Sequence, residues 1–168
     1  TAATTILQEM LDDPDSAHRV RGVQVIGQMT TLSWLSAVMS KLDDAVDEVR
    51  LQAILAIEAM LPRPVPADQA LLLFGALEKR TRDPIEQVRQ VALNTLGRQF
   101  GDGSMEAQAF AILLLGLHDD SANVQQTAVE TLVRIGEPAL PALLKLLLDG
   151  VFVNKYPSVI GWTSVLIV

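Results

Sequence analysis

The apolar positions of this chain recur with the period of an α-helix, and the helical segments themselves recur. Four aspartates each have an apolar residue six positions earlier, namely Leu7, Val38, Leu77 and Leu113. Three of the aspartates have an apolar residue two positions earlier, at Leu11, Leu42 and Leu117. Three have one nine positions earlier, at Leu35, Phe74 and Phe110. Because these offsets fall on one side of a helix with 3.6 residues per turn, the pattern predicts a helix before each aspartate.

A second helix is predicted after each aspartate. Residues 13–19, 44–50, 83–89 and 119–125 align without gaps, and each segment begins with the aspartate. The same register then gives a small residue in every segment, at Gly22, Ala53, Ala92 and Ala128, and an apolar residue four positions later, at Ile26, Ile57, Leu96 and Leu132. The aspartates are 31, 39 and 36 residues apart, the length of a two-helix repeat. We expect each acidic turn to end one helix and cap the next.

This repeat predicts an all-α fold, a right-handed α-α superhelix built from about four to five helical hairpins. Stacking is required because a single hairpin cannot bury its own apolar face. The expected repeat domain covers residues 1–150, with units at about 3–30, 31–61, 67–100 and 104–136 and a half unit at 137–149. Residues 151–168 do not continue the pattern. We interpret them as a cap on the last hairpin, with an apolar arm that mediates homodimerisation as the alternative.

The turn and second helix resemble the HEAT repeat, specifically the phycobilisome-lyase HEAT-like type. The motif is Asp-Pro, three residues, Val-Arg, then Ala and Leu-Gly, and the third unit matches it throughout, at Asp83-Pro84, Val88-Arg89, Ala92 and Leu96-Gly97. The resemblance covers about residues 4–149. Individual units depart from the motif at His18, Ala45, Asp120 and Gln125.

The resemblance implies that the turn aspartate and the helix arginine tie adjacent repeats together. That structural ladder would consist of Asp13, Asp44, Asp83 and Asp119 with Arg19, Arg50 and Arg89. These residues could be mistaken for catalytic acids and substrate-binding arginines. We interpret them as structural, because a catalytic site would not be copied in every repeat.

Composition and charge narrow the classes of function. The chain has 168 residues, no cysteine and a net charge of -7, so thiolate metal sites are excluded and nucleic-acid binding is disfavoured. The two histidines lie at different helical phases, and His18 is expected to be partly buried because its column otherwise holds valine. We therefore predict no catalytic residue, no metal and no cofactor. No apolar run is long enough to span a membrane, and we expect a soluble cytoplasmic protein, alone or as part of a longer chain.

Second helices of HEAT solenoids generally line the concave side, where a ligand binds. The stripe predicted to face it comprises Val20, Gln24, Leu51, Leu55, Gln90, Asn94, Arg98, Gln126, Glu130 and Arg134. We expect its apolar part, Val20, Leu51 and Leu55, to anchor a partner and its arginines to receive an acidic or polar rim. The alternative is that Leu51 and Leu55 pack against a neighbouring helix.

These observations favour a non-enzymatic scaffold or regulatory module that binds another protein or peptide on its concave face. A second hypothesis, suggested by the repeat subtype alone, is a phycobilin lyase or chaperone-type subunit. A third, a nucleic-acid-processing solenoid, conflicts with the negative charge.

Overall fold

The computed structural model describes residues 2–29, 31–61, 65–101 and 105–140. The expectations for 151–168 and for most of the half unit 137–149 lie outside these ranges. The described residues form eight α-helices and no strand, which confirms the all-α solenoid predicted from the repeat.

The helices pair into four hairpins. The first helices are α1 (Ala2–Leu11), α3 (Leu35–Ser40), α5 (Ala67–Arg80) and α7 (Glu106–Gly116). The second helices are α2 (Ser16–Met29), α4 (Asp47–Met60), α6 (Glu86–Phe100) and α8 (Ala122–Ile135). Short 3-10 helices flank α3 at Leu32–Trp34 and Lys41–Asp43, and another, Glu137–Ala139, follows α8.

The second helices form the spine of the stack. Each contacts the next one, α2 with α4, α4 with α6 and α6 with α8. Small residues meet where α2 and α4 pack together: a Cβ added to Gly27 would lie 2.9 Å from the Cβ of Ala56. Since the spacing between neighbouring helices depends on the side chains at the contact, these small residues bring the hairpins close together.

The core runs continuously through the hairpins. The recurring apolar positions are fully buried in each of them, as at Ile26, Ile57, Leu96 and Leu132. These side chains belong to one cluster that contains the first helices as well. Each hairpin is therefore stabilised by burial against its neighbours, at roughly 25 cal/mol for each Å² of apolar surface removed from water.

The acidic turns differ from the expected helix caps. The Oδ1 atom of Asp44 accepts a hydrogen bond from the N–H of Val46 at 2.9 Å, and Asp83 accepts one from Ile85 at 3.0 Å. Val46 and Ile85 are themselves the cap residues of α4 and α6, and neither has a capping side-chain bond. The prediction that the acidic turn caps the second helix is therefore wrong for α4 and α6, where Asp44 and Asp83 fold the turn instead, because an aspartate readily bonds to the backbone two residues on. At α8 the turn does supply a cap, since Ser121 accepts a bond from the N–H of Asn123.

Candidate functional site

Arginine–aspartate pairs join each hairpin to the next. Arg50 donates from Nε to Oδ2 of Asp83 and from Nη2 to Oδ1, both at 2.8 Å. The same two-pronged geometry, at 2.8 to 2.9 Å, recurs in the pairs Arg19–Asp44 and Arg89–Asp119. In each pair the arginine of one unit reaches the aspartate of the next. Bidentate pairs of this kind combine strong charge-assisted bonds with a fixed orientation.

Each of these arginines also holds the turn of its own hairpin. Arg50 Nη1 donates to the carbonyl oxygens of Asp44 at 2.9 Å and Ala45 at 3.2 Å. Arg19 and Arg89 make equivalent bonds in their own turns. In the fourth hairpin Gln125 replaces arginine and donates to the carbonyl of Asp119. One side chain therefore connects two consecutive turns wherever arginine is present.

The central pair is the most buried. The side chain of Asp83 has no solvent exposure, and Arg80 Nη1 also donates to its Oδ2 at 3.1 Å. Burial by itself would raise the pKa of Asp83, but the hydrogen bonds from Arg50 and the N–H of Ile85, with the charges of both arginines, outweigh burial and lower that pKa. Asp83 is thus an ionised, inaccessible carboxylate, which suits a structural role.

Asp13 has a different partner from the other turn aspartates. Its Oδ2 lies 3.1 Å from Nδ1 of His18, within the same hairpin. The expectation that His18 is partly buried was wrong, since its side chain is 58% exposed. The valines in the same column belong to hairpins that follow another hairpin, whereas no described hairpin precedes the first one.

The apolar part of the predicted stripe divides between core and surface. Leu55 is 41% exposed, whereas Leu51 is partly buried and packs against the core. Val20 is also partly buried. Leu55 lies in an open groove of about 610 Å³ between α2 and α4, lined by Gln24, Gly27, Gln28, Gln52, Leu55, Ala56 and Ala59.

The arginines of the stripe are engaged within the protein. Arg134 Nη2 donates to Oδ1 of Asn94 at 2.8 Å, and Arg98 forms an ion pair with Glu58. Thr95 Oγ1 donates to the second carboxylate oxygen of Glu58 at 3.1 Å. These contacts link successive second helices, so both arginines already have polar partners before any ligand arrives.

Other polar residues of the stripe are hydrogen-bonded as well. Gln126 donates to Glu130 within α8 at 2.8 Å. Gln90 reaches Thr127 of the next hairpin at 3.4 Å. The stripe residues of the third and fourth hairpins therefore form a polar, internally bonded surface, whereas Gln24 and Leu55 of the first two hairpins line the groove.

Sequence reasoning missed Glu58 as a residue that links hairpins. A signal was present, because its column otherwise holds Gly27, Gly97 and Val133. A carboxylate in a column of uncharged residues indicates a bond to the neighbouring unit.

A second open hollow, of about 520 Å³, lies at the turn between α5 and α6. Its charged side chains are already paired, Lys79 with Asp43 at 2.7 Å and Arg82 with Glu78 at 3.4 Å. Of these two hollows, the groove is the one lined by a leucine side chain.

The described ranges contain neither a candidate membrane-spanning helix nor a candidate metal site. No helix there combines the length and apolar character needed to cross a bilayer. Nor do three or more metal-ligating side chains come together there.

Comparison with known proteins agrees with this architecture. Residues 74–153 match the family model for HEAT repeats. A designed armadillo repeat protein in complex with the peptide (KR)4 is similar, with a TM-score of 0.58 and 24% identity over 83% of this chain and 72% of that one. Computationally designed armadillo repeat proteins for modular peptide recognition give a TM-score of 0.55 and 25% identity over 83% of this chain and 72% of theirs.

No curated protein sequence matches the chain. The family match and the structural likeness nevertheless agree with the recurring hairpins and the stacked second helices. The chain is an all-α solenoid similar in fold to armadillo repeat proteins, and its residues 74–153 match the family model for HEAT repeats.

Proposed function

We propose that this chain is a non-enzymatic interaction module, a scaffold or regulatory part, that binds an extended peptide segment of another protein between α2 and α4. The observation that carries the proposal is Leu55, an exposed leucine that lines an open groove. Repeat solenoids use such continuous surfaces for binding. An exposed apolar side chain that is buried on binding is a typical anchor of an interface.

The polar residues beside Leu55 suit a peptide backbone. Gln24, Gln28 and Gln52 line the groove, and a side-chain amide both donates and accepts hydrogen bonds. An extended peptide presents an N–H and a carbonyl at nearly every residue. Glutamine amides could pair with these groups while Leu55 contacts one apolar side chain of the peptide.

Charge favours a neutral or basic partner. The whole chain carries a net charge of -7, which would attract a basic peptide at long range, although the groove residues themselves are uncharged. The similar designed protein solved with the peptide (KR)4 supports a peptide ligand of this kind. We infer a segment with one bulky apolar residue among polar or basic ones, bound in the cytoplasm.

A bead-displayed library of random decapeptides, incubated with the labelled chain, tests the proposal. Selected peptides should carry a bulky apolar residue, and Leu55→Ser should weaken their binding about fivefold or more, since losing an anchor costs above ~1 kcal/mol. Leu55 is replaced alone because Leu51 packs against the core.

The matched control is Leu115→Ser, which removes an equally large side chain, 61% exposed, from the first helix α7. It should leave binding unchanged. Equal losses of peptide binding in the two variants would reject the groove as the binding site. So would selected peptides that bind the Leu55→Ser variant as well as the original chain. The bilin-lyase alternative predicts instead an absorbance change when the chain is mixed with a free bilin.

A further inference from the structure

The first hairpin exposes a face that the other three hairpins bury. Val25 and Met29 of α2 are 38% and 48% exposed. Val25 and Met29 lie seven and eleven positions after His18, whose counterpart in α4 is Val49. The residues seven and eleven positions after Val49 are Ala56 and Met60, which are only 5% and 4% exposed. Thr95 and Thr131, which correspond to Val25 in α6 and α8, are buried as well.

The first helix α1 contributes to the same face. Ile6, seven positions before the turn aspartate, is 56% exposed, whereas Ile112 in the same column of α7 is 7% exposed. Ala3 is exposed, whereas Leu73 and Ala109 in its column are fully buried. The exposed face thus extends over both helices of the first hairpin.

In the other hairpins this face is covered by the preceding second helix. Ala56 lies against Gly27 of α2, and Thr131 lies against Gly97 of α6. Thr95 donates a hydrogen bond to Glu58 of α4 at 3.1 Å. The repeat itself therefore shows which kind of element covers these columns.

The turn aspartate of the first hairpin, Asp13, carries the same negative charge that binds an arginine in the other three hairpins. Asp44, Asp83 and Asp119 each accept two bonds from an arginine of the preceding hairpin. In each case Nε donates to Oδ2. The Oδ2 atom of Asp13 lies instead near the exposed ring of His18, at 3.1 Å.

We propose that this face binds one more helical hairpin of the same repeat type, with an arginine on Asp13 and a small residue against Val25. Arg19 and Gly27, like Arg89 and Gly97, show the required spacing of eight residues on one second helix. A second copy of α8 would not serve, because Gln125 stands in the place of the arginine. The proposal concerns a different face from the peptide groove and does not depend on it.

The test extends the chain with a hairpin of its own. A copy of residues 65–105 is placed directly before Ala2, which puts the copied Arg89 28 residues before Asp13. The existing arginine–aspartate pairs are separated by 25, 33 and 30 residues, so the separation in the extended chain falls within the range that the fold accommodates. Chemical unfolding and hydrogen exchange are then measured on the original and extended chains.

In the extended chain, the amides of α2 should exchange more slowly than in the original chain. Asp13→Asn and Arg89→Gln in the copy should be coupled by about tenfold or more in the unfolding equilibrium constant, as expected for residues in direct contact. Asp13→Asn should have a much smaller effect in the original chain. His18→Val, which restores the valine column, should stabilise the extended chain more than the original chain.

Additive effects of the two substitutions, or a copy that unfolds separately and leaves exchange in α2 unchanged, would overturn the proposal. Self-association of the original chain that Met29→Glu abolishes would also overturn it, because a second copy would then cover the face.

Discussion

Single arginines carry much of the connection between hairpins. Arg50 uses Nε and Nη2 for the carboxylate of Asp83 and Nη1 for the carbonyls of its own turn. A lysine could not do this, because its ammonium group lacks the planar fork that matches a carboxylate. The pair therefore fixes the orientation of one turn relative to the next.

Asp83→Asn should destabilise the protein strongly. It leaves two arginines, Arg50 and Arg80, at a site where the carboxylate is fully buried. Removing one partner of a buried pair costs about 3 kcal/mol or more. Urea unfolding measures the loss. Asp13→Asn is the matched control and should cost much less, since the side-chain partner of Asp13 is the exposed His18 and no arginine makes a bidentate pair with it; equal losses would contradict the role assigned to the arginine pair.

Acid should destabilise the fold through the same carboxylates. For Asp44, Asp83 and Asp119, burial alone would raise the pKa, but the arginine and backbone hydrogen bonds with the arginine charge outweigh it and lower the pKa. A carboxyl with a lowered folded pKa contributes its full stability above the unfolded pKa of about 3.9 and loses it as the pH falls through the folded pKa.

We therefore expect a Tm that changes little from pH 7 to about 5 and falls steeply below about 4. Thermal melts followed by circular dichroism measure this. Asp83→Asn should show a shallower fall in acid, because one of the titrating groups is gone. An unchanged slope in that variant would show that other groups control the acid sensitivity.

Several side-chain partners could not be predicted from the sequence. The aspartate and arginine columns were evident, but the partner of each arginine depends on how the hairpins stack. The engagement of Arg98 with Glu58 and of Arg134 with Asn94 was not evident, because these contacts join residues about 40 positions apart. Nor does sequence periodicity reveal that the terminal column position, His18, is exposed.

At the scale of helices, the periodicity located all four hairpins because apolar and small residues recur in each at fixed offsets. It did not predict the 3-10 segments on either side of α3. It also placed the cap on the acidic turn, whereas in α4 and α6 the cap residue lies two positions after the aspartate and the helix begins three positions after it. Such boundaries depend on local hydrogen bonds that an apolar pattern does not report.

Two glycine substitutions should have opposite effects on stability. Gly27→Ala places a methyl group 3.0 Å from the Cα of Ala56 in the next second helix, so the backbones must separate. Gly75→Ala meets nothing within 4 Å on the exposed side of α5 and should stabilise by up to about 1 kcal/mol through helix propensity. Urea unfolding of both variants measures the difference. A stabilising Gly27→Ala would contradict the close contact of α2 and α4.

At the scale of the molecule, the fold class could be predicted because a repeat that recurs in register specifies its own stacking. Which residues of the predicted stripe are exposed could be predicted only in part. Of the three leucine and valine residues expected to form an anchor, Leu55 is exposed and Leu51 packs against the core. Which residue of a stripe reaches solvent depends on the rotation of each hairpin relative to the next, and that rotation is set by contacts between distant residues.

Methyl NMR of the chain, labelled at leucine and alanine and titrated with a bead-selected peptide, tests most directly whether partners bind between α2 and α4. We expect shifts concentrated at Leu55, Ala56 and Ala59, which line the groove. Shifts concentrated instead at the exposed leucines of the first helices, Leu71, Leu72 and Leu115, would place the partner on the other side of the stack and contradict the proposed function.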